Sequence, residues 1–190
     1  MQEKIESMSD MLNSFNVLLR IRTSLVLSQL YSFSGTPIQA IDLLTASLEL
    51  ARAHQLHNFV PMILRRLVYA QMLLRKHEVA LQLIEQLEEI SISRCPRLEK
   101  GLIYFTKFDY FAKRYEETNQ KQFSEDALRN MLIAISIFRD TQFPLIEKNL
   151  YQDAAHFIHR VGKQKLRNRF AELYHRLNRQ YLKNLDWHMI

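Results

Sequence analysis

The chain has 190 residues, a formal net charge of +6, three glycines, four prolines and 47% hydrophobic residues. This length suits one domain or one repeat array with a real core, and the residues that dominate are good helix formers. The small number of turn formers argues against an all-β fold, and the single cysteine, Cys95, excludes an internal disulfide and a cysteine-based zinc site. No apolar run reaches the ~18 residues of a membrane-spanning helix, and the acidic N-terminus is not typical of a signal peptide.

The excess positive charge is concentrated near the C-terminus. Residues 145–190 carry nine Lys or Arg against four Asp or Glu, whereas the rest of the chain carries 17 against 16. A typical nucleic-acid-binding domain is basic over a larger part of its length. The last helix also has an apolar stripe that includes Phe170, Leu173 and Leu177. We therefore predict a packed terminal helix with a basic outer face, and neither nucleic acid nor a membrane as partner.

Hydrophobic periodicity predicts helices almost end to end. The first is a long amphipathic helix that includes Leu12, Phe15, Leu18, Leu19, Leu25, Leu27 and Leu30. Prolines open later helices, because a fixed φ and a missing N–H are harmless at the first helical position, and Ser124 is predicted as an N-cap. The predicted helices are residues 4–33, 37–54, 61–75, 78–92, 97–117, 125–139, 145–160 and 163–183.

These helices form four pairs, at about 4–54, 61–92, 97–139 and 145–183, in a single predicted domain over residues 1–190. A leucine stands six residues after each of three helix-opening prolines, namely Leu67, Leu102 and Leu150. Leu27 occupies the equivalent position in the first pair. We expect Leu67, Leu102 and Leu150 to be buried between helices. In the last pair we expect Gly162 to adopt a left-handed turn and Leu150, Phe157, Ala171, Leu173 and Leu177 to pack across it.

The second helices of the first three pairs share a small residue followed four positions later by a large apolar one: Ala40 and Leu44, Ala80 and Ile84, Ala127 and Met131. A small residue lets antiparallel helices approach closely. With Leu27, Ser28, Tyr31 and Ser47, this spacing resembles the tetratricopeptide pattern. The sequence therefore predicts an all-α, tetratricopeptide-like, right-handed helical-repeat solenoid of about four pairs, with a generic helical bundle as the alternative.

Enzyme motifs are absent from the sequence, which contains neither a glycine-rich phosphate loop nor a nucleophile elbow. Asp153, His156 and His159 recur on one helix at a spacing that can bind zinc, and His175 could join them. Surface and packing roles are more common for such side chains. We therefore predict no catalytic residue, no cofactor and no metal.

Equivalent offsets from the helix-opening prolines carry a repeated polar pattern. Arg65, Lys100 and Lys148 stand four residues after a proline, and Tyr69, Tyr104 and Gln152 stand eight after it. In a solenoid the first helix of each pair lines the concave groove, so these residues are candidate contacts for an acidic or extended peptide. Ordinary solvated surface, or contact with a fixed subunit, remains the alternative.

A segment near the C-terminus resembles the end of the anaphase-promoting complex subunit 5 family. The resemblance is carried by Tyr151, Asp153, His159, Gly162, Lys163, Arg167, Asn168, Arg169, Ala171, Leu173 and Leu177. It covers about 30 residues, and the helical-repeat character extends it loosely over the rest of the chain. Because that family is several times longer, the resemblance implies a C-terminal fragment, a truncated isoform or a partial gene model.

The resemblance implies a role without an active site. In that family, catalysis belongs to cullin-like and RING subunits of a nuclear and cytosolic ubiquitin ligase that drives exit from mitosis, and subunit 5 is a scaffold. The expected partners are therefore other subunits of a large ubiquitin-ligase complex, or other proteins and peptides, and Arg167, Arg169 and Arg176 form a candidate basic docking face. The alternative is a stand-alone tetratricopeptide-type peptide-binding or regulatory module.

Overall fold

The computed structural model describes residues 2–92, 95–139 and 143–186, with side chains for 15–92, 95–139 and 143–180. Within these ranges the chain forms eight α-helices and no β-strand, which confirms the predicted all-α helical-repeat fold. None of the described helices has an apolar stretch long enough to cross a bilayer. The helices are α1 (Gln2–Phe33), α2 (Pro37–Ala53), α3 (Val60–Leu73), α4 (His77–Ile92), α5 (Arg97–Thr118), α6 (Lys121–Arg139), α7 (Pro144–Arg160) and α8 (Gln164–Asp186).

The chain divides into two compact units, Met1–Ser93 and Arg94–Ile190, each with two helix pairs. In the first unit, each helix packs on the next, and α1 also contacts α3. In the second, α5 packs on α6, α6 on α7 and α7 on α8. Consecutive pairs therefore stack within each unit, as helical repeats require. That residues 1–190 form a single domain stays a prediction.

Four connections between helices use the same backbone turn. Each places one residue at positive φ after the helix, namely Gly35, Gln55, Arg75 and Gly162. The N–H of the following residue then donates to the carbonyl five positions earlier, from Thr36 to Tyr31, Leu56 to Ala51, Lys76 to Gln71 and Lys163 to Ile158. This is the Schellman arrangement, which satisfies otherwise orphaned carbonyls at a helix end. The predicted left-handed turn at Gly162 is confirmed, with φ +81°.

One prediction about helix starts is wrong, whereas the predicted start of α5 at Arg97 is confirmed. Pro37, Pro61 and Pro144 lie in the first turn of their helices, whereas Pro96 is the N-cap residue that precedes α5. The N-cap assignment of Ser124 is wrong, because α6 begins three residues earlier. Ser124 is buried, and its hydroxyl donates a hydrogen bond to the Lys121 carbonyl at 2.8 Å. The hydroxyl therefore has its hydrogen-bond partner within the helix and does not cap it.

The small-residue register predicted for α2, α4 and α6 is confirmed. Ala40, Ala80 and Ala127 are fully buried, and the apolar residues one turn later, Leu44, Ile84 and Met131, are buried as well. The same buried face continues at the next two turns, with Ser47 and Ala51, Leu87 and Ser91, and Ala134 and Phe138. These helices therefore present one equivalent face to the core in three successive pairs.

The leucine register of the first helices is confirmed only in part. Leu67 and Leu150 are buried, whereas Leu102 is half-buried and packs against the core of the second unit. The equivalence of Leu27 is wrong, because its side chain is 38% exposed. The core side of α1 is instead formed by Val17, Ile21, Leu25 and Ser28.

Aromatic residues dominate the core of the second unit. Phe157 lies at its centre, with edge-to-face contacts to Phe108 at 5.4 Å and to Tyr115 at 5.9 Å between ring centroids. Of the packing set predicted for the last pair, Leu150 and Phe157 are buried and Leu173 and Leu177 pack half-buried against this core. Ala171 is half-buried.

Candidate partner-binding surfaces

The predicted groove residues of the first unit lie one turn apart on α3. Arg65 is half-buried, and the Tyr69 ring is 44% exposed. An arginine can donate charge-assisted hydrogen bonds to a carboxylate of a peptide, and an exposed tyrosine one turn away can add contact area. In this unit the two residues therefore remain candidates for such a contact.

In the second unit, some of the predicted groove residues already contact other side chains of the chain. Lys100 and Tyr104 are half-buried on α5, and the Lys107 ammonium lies 5.5 Å from the centroid of the Tyr104 ring. Tyr104 therefore already has a cation from its own helix. That Arg65, Lys100 and Lys148 form one ladder along a groove stays a prediction.

Lys148 and Gln152 lie one turn apart on α7. The Lys148 ammonium donates to the amide oxygen of Asn178 at 3.3 Å and lies 5.8 Å from the Tyr174 ring centroid, both on α8. This side chain is therefore held in the contact between α7 and α8, where its charge is partly compensated. Gln152 is exposed.

The basic docking residues of α8 separate into two groups. A helix turns 100° per residue, so Arg169 and Arg176 lie on one flank of the apolar stripe and Arg167 on the other. Arg167 is half-buried, with a guanidinium nitrogen 3.3 Å from Nδ1 of His159, and it donates to the Asn168 side chain. The structure thus brings Arg169 and Arg176 together, both exposed, but not Arg167.

Arg169 lines an open cleft of about 390 Å³ between α6 and α8. The walls of the cleft are apolar, with a second guanidinium at its edge, and are formed by Leu132, Ile135, Ser136, Arg139, Leu166, Arg169, Phe170 and Leu173. Arg139 also donates to the Tyr151 hydroxyl, which in turn donates to Glu147 at 2.8 Å. An apolar cleft flanked by guanidinium groups fits an apolar side chain next to a carboxylate.

A pair of carboxyl groups that sequence reasoning missed lies on α5 and α7. Burial, together with the neighbouring charge of Asp153, raises the pKa of Asp109 to about 8. Burial also raises the pKa of Asp153, which the nearby His156 partly opposes. At neutral pH the Asp109 carboxyl is therefore largely protonated and can donate a hydrogen bond. In the sequence, Asp153 was considered only as a candidate metal ligand, and no motif distinguished Asp109.

The arrangement of the histidines does not build the zinc site considered above. His159 faces the guanidinium of Arg167, and a cation there opposes metal binding. Among the residues that the structure describes, no group of three or more His, Cys, Asp or Glu side chains is placed to hold a metal ion.

Comparison with known proteins extends these observations. The family model for the C-terminal domain of suppressor of spindle checkpoint defect 1 matches residues 1–190. The chain is also 25% identical over 168 residues to anaphase-promoting complex subunit 5 of Homo sapiens and of Pongo abelii. This alignment covers 87% of the chain but only 22% of each relative. The chain belongs to the family of the C-terminal domain of suppressor of spindle checkpoint defect 1.

Proposed function

We propose that this chain is a non-catalytic scaffold subunit of a ubiquitin ligase of the anaphase-promoting type, acting in mitotic control in the nucleus and cytoplasm. The family match over the whole chain carries the proposal. The identity to anaphase-promoting complex subunit 5, spread over 87% of the chain, supports it. Its partners are other subunits of that complex.

The cleft between α6 and α8 is the docking surface that we assign to this role. Its Leu132 is 51% exposed, and Arg169 stands at its edge. Rim charges such as these steer association and fix register, while an apolar centre supplies most of the affinity. The expected occupant is a segment of a neighbouring subunit with an apolar residue beside an acidic one.

The experiment is affinity purification of the tagged full chain from cells of its own species, followed by mass spectrometry of what it retains. We expect a stoichiometric set of ubiquitin-ligase subunits. Recovery of the chain alone, or with nucleic acid as its main companion, would contradict the proposal. Recovery with only short peptides would favour the alternative of a stand-alone peptide-binding module.

A pair of charge-reversal variants tests the docking surface itself. Arg169→Glu/Arg176→Glu should lower the recovery of the other subunits about tenfold, because it opposes an acidic partner. Arg75→Glu/Lys76→Glu is the matched control, since it makes the same change of charge at the exposed turn between α3 and α4. Equal recovery with the two variants would exclude the cleft as the docking surface.

A further inference from the structure

The first helix carries two apolar stripes on opposite sides. One stripe, with Val17, Ile21 and Leu25, is buried against α2 and α3. The other stripe, which we name the outer face of α1, consists of Phe15, Leu19, Val26, Leu30 and Phe33, with side chains between 55% and 71% exposed. Because each residue advances 100° around the helix, these five lie within about 60° of each other. The stripe is about 27 Å long at 1.5 Å per residue.

Exposure on this scale points to a binding surface. Scattered exposed leucines are normal on a protein surface, but five large exposed apolar residues along one helix face mark an interaction site, here with Arg22 and Thr23 at the turn between Leu19 and Val26. The spacing of four, seven, four and three residues is also the one that a helix uses to pack against another helix.

A cavity lies at the C-terminal end of α1. It is open, with a volume of about 650 Å³, and is formed by the turn between α1 and α2 and the end of α3. Ile38, which is 63% exposed, and Leu73 contribute apolar walls. The α1 helix residue in its lining is Ser32, which lies about 100° or more around the helix from every residue of the outer face, so the cavity is not part of this face.

The charges beside the stripe indicate the chemistry of its partner. Arg22 lies at one edge of the outer face, in the turn between Leu19 and Val26, and Arg20 lies about 80° beyond the opposite edge. Both are exposed, and residues 15–33 contain no Asp or Glu. A second copy of the chain, paired antiparallel through the same face, would bring the two Arg22 side chains close together without a carboxylate to separate them. Like charges in that position are destabilising.

We propose that the outer face of α1 docks an amphipathic helix of another protein, whose apolar stripe is bordered by carboxylates. The apolar residues bury against Leu19, Val26 and Leu30, and a carboxylate accepts a hydrogen bond from Arg22. This inference does not depend on the proposed function, because it rests on α1 alone.

The test uses two designed helical peptides with fluorescent labels, about 20 residues long to match the stripe. Both carry leucine at heptad core positions. One carries glutamate at the flanking positions, and the other carries lysine. Fluorescence anisotropy with the full chain should give saturable binding of the glutamate peptide, about tenfold tighter than the lysine peptide, and weaker as salt rises.

Two variants and one control separate the contributions. Leu19→Asp/Leu30→Asp should weaken binding of the glutamate peptide by about tenfold or more, because it removes central apolar contacts. Arg20→Glu/Arg22→Glu should reverse the preference, so that the lysine peptide binds more tightly. Lys163→Glu/Lys165→Glu, which makes the same change of charge at the start of α8 and the residue before it, should leave the preference unchanged. Circular dichroism checks that helicity is the same in all variants, as expected for exposed positions.

Three results would overturn the proposal. The first is failure of the glutamate peptide to bind. The second is equal binding of the two peptides, or a preference that the Arg20→Glu/Arg22→Glu variant does not reverse. The third is a dimer in sedimentation analysis that Leu19→Asp/Leu30→Asp dissociates and the glutamate peptide displaces, since a second copy would then be the occupant.

Discussion

At the scale of single residues, Asp109 links the stability of the second unit to pH. Its pKa in the folded chain is about 8, against an ordinary value of 3.8, because burial and the charge of Asp153 disfavour the carboxylate. Between these two values the folded chain holds a proton that the unfolded chain has released. The unfolding free energy contributed by this group therefore falls as pH rises from about 4 to about 8.

Asp109→Asn should remove this dependence. Because the amide is neutral at every pH, the variant should be more stable than the parent at pH 8 by about 1–3 kcal/mol and nearly unchanged at about pH 4. Urea unfolding at the two pH values measures the difference. Asp42→Asn, at an exposed position on α2, is the control. The same pH slope in Asp109→Asn and in the parent would show that Asp109 is not buried as described.

Gly101 is required by its neighbour across the α5–α6 contact. A Cβ at this position would stand 2.7 Å from the ring of Phe138, which is fully buried. Alanine favours a helix over glycine by about 1 kcal/mol, but overpacking costs about 1–3 kcal/mol. Gly101→Ala should therefore destabilise the chain, and adding Phe138→Leu should cost less than the two single changes together. Additive costs in thermal unfolding would contradict the contact.

At the scale of single helices, hydrophobic periodicity predicts where helices form. It is less reliable in predicting which face of a helix packs against the core. The alanines of α2, α4 and α6 were predictable, because a small residue followed one turn later by a large one suits only a close helix contact. α1 has apolar residues on opposite sides, so its spacing fits both Leu27 and Leu25 as core residues. Only the position of α2 and α3 decides that Leu25 is buried and Leu27 is not.

Buried and exposed leucines should respond differently to alanine substitution. Leu67→Ala and Leu150→Ala remove buried side chains and should each lower the unfolding free energy by about 2–5 kcal/mol. Leu27→Ala removes an exposed side chain and should change it by less than about 0.5 kcal/mol. Chemical denaturation of the three variants checks both. A large loss at Leu27 would restore the register predicted from the sequence.

Candidate sites were less predictable than helices, because they depend on contacts between helices. Lys148 was assigned from its distance after Pro144, yet its ammonium contacts Asn178, thirty residues away in the sequence. The pKa of Asp109 is raised mainly by its burial among the packed helices and further by the charge of Asp153 on another helix. Arg167, Arg169 and Arg176 were grouped by charge, but the rotation of α8 separates Arg167 from the other two.

At the scale of the whole molecule, the position of α8 at the end of the second unit explains why a strongly basic helix also carries an apolar stripe. Phe170 is buried and lies 5.9 Å from the Tyr151 ring, while Leu173 and Leu177 pack against the same core. α8 therefore covers apolar residues of the second unit with one side and presents exposed arginines on another.

Deletion of residues 163–190 should expose this core. We expect the second unit to unfold more easily and the truncated chain to be less soluble, because Tyr151 and the apolar side of α7 lose their cover. Hydrogen exchange should show loss of protection in α7, with protection retained in α3, since α8 packs on α7. Phe170→Ala should act in the same direction and lower the unfolding free energy by about 3–5 kcal/mol, without removing the charges of α8.

Reversal of Arg167, Arg169 and Arg176 to glutamate is the control and should leave protection unchanged. Loss of protection in the control but not in Phe170→Ala would mean that charge, and not apolar cover, is the contribution of α8.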